Sequence, residues 1–518
     1  MNSANITVDN SLRKVAKGTG IGFIGFFIGA VFGYFSRIIL ARFLGATDYG
    51  LISLGFAAMS LTAAVSLVGL QGGVTRYVAF YKGRGDKGGI KGTIEGAVKI
   101  ALPLSLIFTF SLFSGSQWIS INVFHEPHLT SVLRIFSIAV PFFSLSIIFV
   151  AAIAGFQDMR YVAYVDQVFQ NTLKLVAIVA LLVLGFGVLG AAWGWALAII
   201  AMPFLGFYFL EKKVFPVLNT PIKATSLERE LLSFSWPLLF ATLSAVVMNW
   251  TDTFMLGYFS SAQEVGIYNA AHPTAALIYF VFMSFSGIFM PVISELHARN
   301  RSDELKITYS AVTKWILSLA LPAFLLITLF SRSVITILFG DEFITGSTAL
   351  AILAFGYIIQ AMLGLSGRII QALGRTKIIL VCNVIGAASN VGLNLYLIPL
   401  YGINGAAVAT ALSIILMIGL IFTFAYRISG MQPFKFSHLK PVITSIIAVL
   451  IVYGITKYAF VVSFLVLIAM LPVFFVLYFI LLLVVKGFDK EDVMIMRAID
   501  QRLGIKLKWI RKIISRFI

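Results

Sequence analysis

Six cationic side chains fall inside long apolar stretches of this chain: Arg37, Lys99, Arg134, Lys174, Lys314 and Arg368. The acids at comparable depth are fewer, Asp166 and Asp252 with Glu95 near an end. A cation at mid-bilayer costs about 2.5–3.5 kcal/mol on insertion scales, so such groups are expected to face partners, water or headgroups. Lys99, Arg134 and Arg368 lie near the ends of their stretches, where a long side chain reaches the headgroups by snorkelling. Arg37 and Lys174 are harder to place that way, and Lys314 lies between the two cases. Lys174 shares a helix face with Asp166 and Gln170 at steps of four, so a polar stripe within one helix competes with a ligand role. An excess of buried positive charge suits an anion, because guanidinium groups meet phosphate oxygens in pairs and ammonium groups meet them as point charges.

A second constellation lies further along. Asp252, Asn390, Asn394 and Thr410 fall at a common depth from one side of their stretches, and the two asparagines are one helical turn apart. One carboxylate, two amides and a hydroxyl form a hard-oxygen set for a small cation such as Na⁺. Two other readings stand beside it: proton coupling through Asp252, and interhelical hydrogen bonds worth roughly 0.6 kcal/mol each. No catalytic constellation emerges. His125-Glu126-Pro127-His128 differs from the helical H-E-x-x-H of zinc enzymes, and its proline keeps the two rings off one helical face. No Walker A loop is present, so ATP does not drive this chain directly.

The elements that position these residues follow from composition. Of 518 residues, 60% are hydrophobic and 12% charged, and the mean hydropathy is +0.98. Soluble domains carry about 25% charged residues, so a soluble enzyme and a disordered chain are both excluded. About fourteen spans of roughly 20 apolar residues can be read off. They run near 18–42, 50–76, 93–118, 131–156, 162–185, 189–211, 230–258, 266–292, 305–331, 346–371, 377–399, 404–427, 441–461 and 463–486. Runs this long exclude the alternating strands of a β-barrel, which makes the chain an all-α membrane protein.

The formal charge of +18 is placed by the membrane. Arg13, Lys14 and Lys17 precede the first span; Lys82, Arg84, Lys87 and Lys91 follow the second; Lys212, Lys213, Lys223 and Arg229 follow the sixth. Later even-numbered connections continue the pattern. This is the positive-inside rule, which puts both termini in the cytoplasm and argues for a cytoplasmic-membrane protein with no nucleic-acid partner. The one cysteine, Cys382, rules out a disulfide framework within the chain.

The chain also repeats itself. Leu44-Gly45-Ala46-Thr47-Asp48-Tyr49-Gly50-Leu51 is echoed 216 residues later around Glu264-Val265-Gly266-Ile267. Gly187-Val188-Leu189-Gly190-Ala191-Ala192 is echoed 215 residues later by Gly402-Ile403-Asn404-Gly405-Ala406-Ala407. Six spans separate matching points, so the halves are parallel repeats of the kind found in alternating-access transporters. The expected organisation is an N-lobe over 1–211, a cytoplasmic linker over 212–229, a C-lobe over 230–427, two extra helices over 428–486 and a tail over 487–518. In the tail, apolar residues from Met496 to Phe517 at three- and four-residue steps alternate with Arg and Lys. That pattern predicts an amphipathic helix on the anionic cytoplasmic leaflet.

The run Ser36-Arg37-Ile38-Ile39-Leu40-Ala41-Arg42-Phe43-Leu44-Gly45, then Tyr49-Gly50, Asp252, Val265-Gly266-Ile267-Tyr268-Asn269-Ala270-Ala271 and Gly402-Ile403-Asn404-Gly405-Ala406-Ala407, resembles the polysaccharide transporter branch of the multidrug/oligosaccharidyl-lipid/polysaccharide (MOP) flippase superfamily. The resemblance covers spans one to twelve. It implies a V-shaped pair of six-helix lobes around a cationic cavity, and a substrate of polyprenyl- or dolichyl-(pyro)phosphate-linked oligosaccharide. Arg37 matches a first-span arginine of related flippases, and Arg42 is a second candidate. With Lys174 and Lys314 they form the expected substrate-binding set. The resemblance also implies a Na⁺ site of Asp252, Asn390, Asn394, the Ala406 carbonyl and Thr410, in which Asn394 stands where the related pattern has a second acid. No cofactor beyond that coupling ion is implied. The rival within the superfamily is a multidrug or metabolite cation antiporter, which needs acids in its cavity. A glycosyltransferase or polymerase needs a sizeable outer loop or surface carboxylates, and a structural scaffold leaves buried charge without a purpose.

Overall fold

The computed structural model describes residues 2–219, 221–459, 464–489 and 492, and every regular element among them is helical. The tail helix expected after 492 lies outside the described residues. Helix α1 (Asn2–Leu67) bends at Gly45 and so supplies the first two spans. It is followed by α2 (Leu70–Arg84), α3 (Lys87–Trp118) and α4 (Leu129–Gly155). The fifth span is built from α5 (Met159–Val162), a π-helical stretch (Ala163–Phe169) and α6 (Gln170–Val183). Then come α7 (Gly187–Phe209), α8 (Glu228–Phe259), α9 (Ala262–Ala298), α10 (Ser302–Leu329) and the short α11 (Ser331–Phe339). After these follow α12 (Gly346–Leu363), α13 (Leu365–Ala372), α14 (Thr376–Ser429, folded at Gly402), α15 (Leu439–Ala459) and α16 (Phe464–Val484).

Eleven of these stretches are long and apolar enough to cross a membrane. Helices α1 and α14 each count twice because each is folded at a glycine, and α16 completes the expected set. A 27-residue helix such as α4 is about 40 Å long at 1.5 Å per residue, ample for a ~30 Å core. Exposed Phe110, Phe204 and Val183 present apolar surface to lipid. Buried hydroxyls return their protons to the helix, as where Ser53 donates to the Tyr49 carbonyl at 2.8 Å. With no water in the bilayer core, that back-bonding satisfies a group that has no other partner nearby.

The chain divides into two compact units, 1–269 and 270–518. In the first, α1 packs on α4, α6 and α8, and α4 also packs on α3 and α7. Its core includes Leu67, Leu70, Val74, Ile148 and Leu231. In the second, α12 packs on α14, α10 on α12 and α15, and α15 on α16. The polar segment between α7 and α8 is tied down: the Glu211 carboxylate accepts from the Leu218 backbone at 3.0 Å and from the Asn219 amide at 2.7 Å.

Two observations give the internal repeat a geometric form. Gly187 and Gly402, matched by the 215-residue offset, have φ of +55° and +53°. This is left-handed backbone that glycine adopts without penalty. The second is a crossing inside the first unit. A Cβ at Gly50 would lie 1.8 Å from the Ala262 carbonyl oxygen, and one at Gly266 would lie 1.9 Å from that of Ala46. Residues 46 and 50 are the 216-offset equivalents of 262 and 266, so the contact is reciprocal. Neither glycine can carry a side chain unless the helices separate.

Candidate functional site

Helix α1 presents Gly33 to α6, where a Cβ would lie 2.9 Å from Asn171 Oδ1. The missing side chain leaves room for a polar pair. Lys174 Nζ donates to Asn171 Oδ1 at 2.8 Å, and Asn171 Nδ2 donates to the Gln167 carbonyl at 2.9 Å. The lysine does not join the stripe expected with Asp166 and Gln170. Instead the π-helical stretch ending at Phe169 shifts the register, and Asp166 accepts from its neighbour Gln167 at 2.6 Å. Such stretches are rare and are frequent at functional sites.

Helix α7 closes the other side of Lys174. Gly194 approaches the Ile178 backbone so closely that a Cβ would lie 2.8 Å from its nitrogen. That approach brings Trp195 to Lys174, whose Nζ lies 5.0 Å from the ring centre. The indole is itself held, stacked on Phe56 at 4.4 Å and edge-on to Phe136 at 6.0 Å. Arg37, one turn beyond Gly33, is near enough to Lys174 for the two charges to repel, and it lies against the Tyr49 hydroxyl. Tyr49 in turn donates to the Asn269 carbonyl at 3.2 Å.

Lys174 is 7% exposed. Among the described residues, no carboxylate lies within ion-pairing distance of either Lys174 or Arg37. A desolvated cation–π contact is worth about 2 kcal/mol and a hydrogen bond from a charged donor about 1.5–3 kcal/mol. Those contacts help hold the ammonium but cancel none of its charge. Two like charges kept near each other, one of them buried, are chemically suited to an anion with several oxygens.

The other candidates are placed differently. Arg42 is exposed on α1. Lys314, expected in the substrate set, has two carboxylates of its own: its Nζ lies 2.7 Å from Asp489 and 2.8 Å from Asp492. Trp315 Nε1 donates to the second oxygen of Asp492 at 2.7 Å. Its charge is met inside the protein and is not available to a substrate. Lys99 pairs with Glu228 at 3.5 Å with its side chain 64% exposed, in keeping with snorkelling. Arg134 donates to Ser116 Oγ at 3.2 Å, and Arg368 to Ser286 Oγ at 2.6 Å.

The expected ion ligands fall in both units. In the second, Asn394 Nδ2 donates to Asn390 Oδ1 and Asn390 Nδ2 donates to Thr410 Oγ1, each at 3.2 Å. Ala406 is fully buried on the same helix, α14. Asn390 Oδ1 and Thr410 Oγ1 are neutral and already accept hydrogen bonds, which a cation binding them would have to replace. The charged member, Asp252, belongs to the first unit and accepts from the Tyr268 hydroxyl at 2.5 Å. The sequence analysis gave no role to Asn171 and Trp195, and quoted Tyr49 and Tyr268 only as parts of motifs. The available signal was the glycine beside or one turn from some of them, which marks where helices approach closely.

The sequence profile described as "Polysaccharide biosynthesis protein" matches residues 15–297. The chain belongs to that family. A second profile, MatE, matches residues 237–396, and together they place the chain in the MOP flippase superfamily, a superfamily of transporters and not of enzymes. Among relatives, the probable low-salt glycan biosynthesis flippase Agl15 of Haloferax volcanii is 31% identical over 38% of this chain and 42% of its own. The lipid II flippase MurJ of Bacillus subtilis is 22% identical over 78% of this chain and 80% of its own. A solved structure of lipid II flippase MurJ in an inward closed conformation superposes with a TM-score of 0.71 at 16% identity, over 89% of this chain and 97% of that one. That likeness shows the fold.

Proposed function

We propose that this protein flips a polyprenyl- or dolichyl-(pyro)phosphate-linked oligosaccharide from the cytoplasmic to the outer leaflet of the cytoplasmic membrane. The observation that carries the reading is the pair Arg37 and Lys174, two neighbouring cations with no carboxylate among the described residues. They take the (pyro)phosphate, with the exposed Arg42 as an accessory contact, while the lipid tail stays in the bilayer. The likeness to the flippases Agl15 and MurJ supports the substrate class, and the basic even-numbered connections support cytoplasmic termini. The glycan crosses as the protein alternates between two states, and a coupling ion biases them only by its differential affinity. Na⁺ coupling enters through Asp252, the one carboxylate in the expected ligand set. The cation antiporter is the second reading, favoured by the MatE match and disfavoured by a positive site that repels organic cations.

The test is flipping in proteoliposomes, with a fluorescent polyprenyl-pyrophosphate glycan scored for accessibility with and without a Na⁺ gradient. Gradient-dependent flipping that disappears in Asp252→Ala is the expected result. Flipping indifferent to Na⁺ and to Asp252 keeps the flippase and removes the coupling ion. No flipping by the wild type, with export of an organic cation in its place, overturns the assignment in favour of the antiporter.

A further inference from the structure

The geometry points to Trp195 as a third donor of the anion site, and to Asn171 as the residue that positions Lys174 within it. This rests on the reading of Arg37 and Lys174 given above. Trp195 is 5% exposed, yet its Nε1–H has no hydrogen-bond acceptor among the described residues. Buried indole N–H groups normally find one. This orphan is a feature of the same ring whose face carries the Lys174 ammonium. The ring cannot turn easily to relieve it, being stacked on Phe56 and edge-packed on Phe136.

Asn171 is oriented with equal definition. Its amide nitrogen is used by the Gln167 carbonyl, which fixes Oδ1 toward Lys174. One ammonium proton is therefore taken by Asn171, and the others remain for a ligand. The inventory near Lys174 is then a guanidinium, an ammonium and an indole N–H, all donors. A phosphate or pyrophosphate group supplies the matching oxygens. An uncharged headgroup leaves the two cations unmet. Trp195 adds direction and not charge, so it sharpens the choice among anions that Arg37 and Lys174 attract.

The experiment measures binding of polyprenyl pyrophosphate to the full chain in nanodiscs, with the polyprenyl alcohol as the uncharged probe. Trp195→Phe keeps the ring, its stacking and its contact with Lys174, and removes only the N–H. Its affinity for the pyrophosphate is expected to fall about tenfold, the usual size for losing one hydrogen bond to a charged group, with the alcohol unaffected. Asn171→Asp gives Lys174 a carboxylate and is expected to weaken pyrophosphate binding as far as Lys174→Gln does. A merely structural role for either residue lowers both affinities together and overturns the inference. Wild-type discrimination of pyrophosphate from alcohol that survives intact in Trp195→Phe and Asn171→Asp also overturns it, while leaving the Arg37–Lys174 site standing. A wild type that binds the two probes equally removes the anion site and this inference with it. Should Trp195→Phe fail to reach the membrane, Asn171→Asp decides alone.

Discussion

Lys174 and Lys314 make an instructive pair. Each lies inside an apolar stretch, and they are 7% and 5% exposed. Their surroundings differ completely. Lys314 meets Asp489 and Asp492, a tryptophan N–H donates to the same Asp492, and the Asp489 backbone N–H donates to it as well at 2.6 Å. Lys174 meets an amide, an aromatic face and a second cation. A buried charge whose partners are all present fastens a structure, here the segment after α16 to α10. A buried charge paired with its like is poised for something that comes and goes.

The largest effect should come from making the first site resemble the second. Arg37→Glu removes the repelling cation and offers Lys174 a carboxylate. Flipping of a pyrophosphate-linked glycan is expected to fall by more than about a hundredfold, the scale set by losing a charge-assisted contact and adding a repulsive one. The fold should survive, because the change relieves a like-charge contact. Proteoliposome flipping beside a melting curve checks both, and preserved transport would sink the assignment of Arg37.

Next in size is damage to the paired site. Lys314→Met leaves Asp492, whose side chain is 2% exposed, without its cation. Removing one partner of a buried pair costs about 3–5 kcal/mol, a loss that should appear as a clear drop in melting temperature in detergent. Replacing Lys314 and both aspartates with neutral residues of similar size should recover much of it. If the single substitution leaves the melting temperature unchanged, the network is not what fastens this segment.

Much of the fold was legible because a membrane leaves few choices. Apolar length marked the spans, and the offset between Gly187 and Gly402 returned as matching positive φ angles. The second span was expected to run on to residue 76, but α1 stops at Leu67, with Val68 and Gly69 both at positive φ. The cause is tertiary: a Cβ at Gly69 would lie 2.3 Å from the Ser235 carbonyl oxygen of α8, and no local pattern reports that. The site was legible as residue types and not as contacts. Arg37 and Lys174 stood out as cations in apolar runs. The register that joins Lys174 to Asn171 depends on a π-helical stretch, and the approach of Trp195 depends on how α7 packs on α6. The ion pairs of Lys314 were illegible for the same reason, since its partners lie 175 and 178 residues away.

The smallest expected effect is also the sharpest discriminator, because the two lysines should differ in sign. Lys174→Met deletes a buried charge that no acid neutralises. It removes a repulsion with Arg37 and the desolvation of the ammonium, and it forfeits one charge-assisted hydrogen bond and one cation–π contact. The opposing terms are each about 1–3 kcal/mol, so stability without substrate should stay level or rise slightly, where Lys314→Met lowers it. The same variant should bind polyprenyl pyrophosphate weakly, and the ligand should no longer raise its melting temperature as it does in the wild type. Melting curves of both methionine variants, with and without the pyrophosphate, provide the measurement. A fall in stability for Lys174→Met as large as that for Lys314→Met would mean that Lys174 already has its counter-charge in the resting protein, and that Arg37 would have to hold the anion by itself.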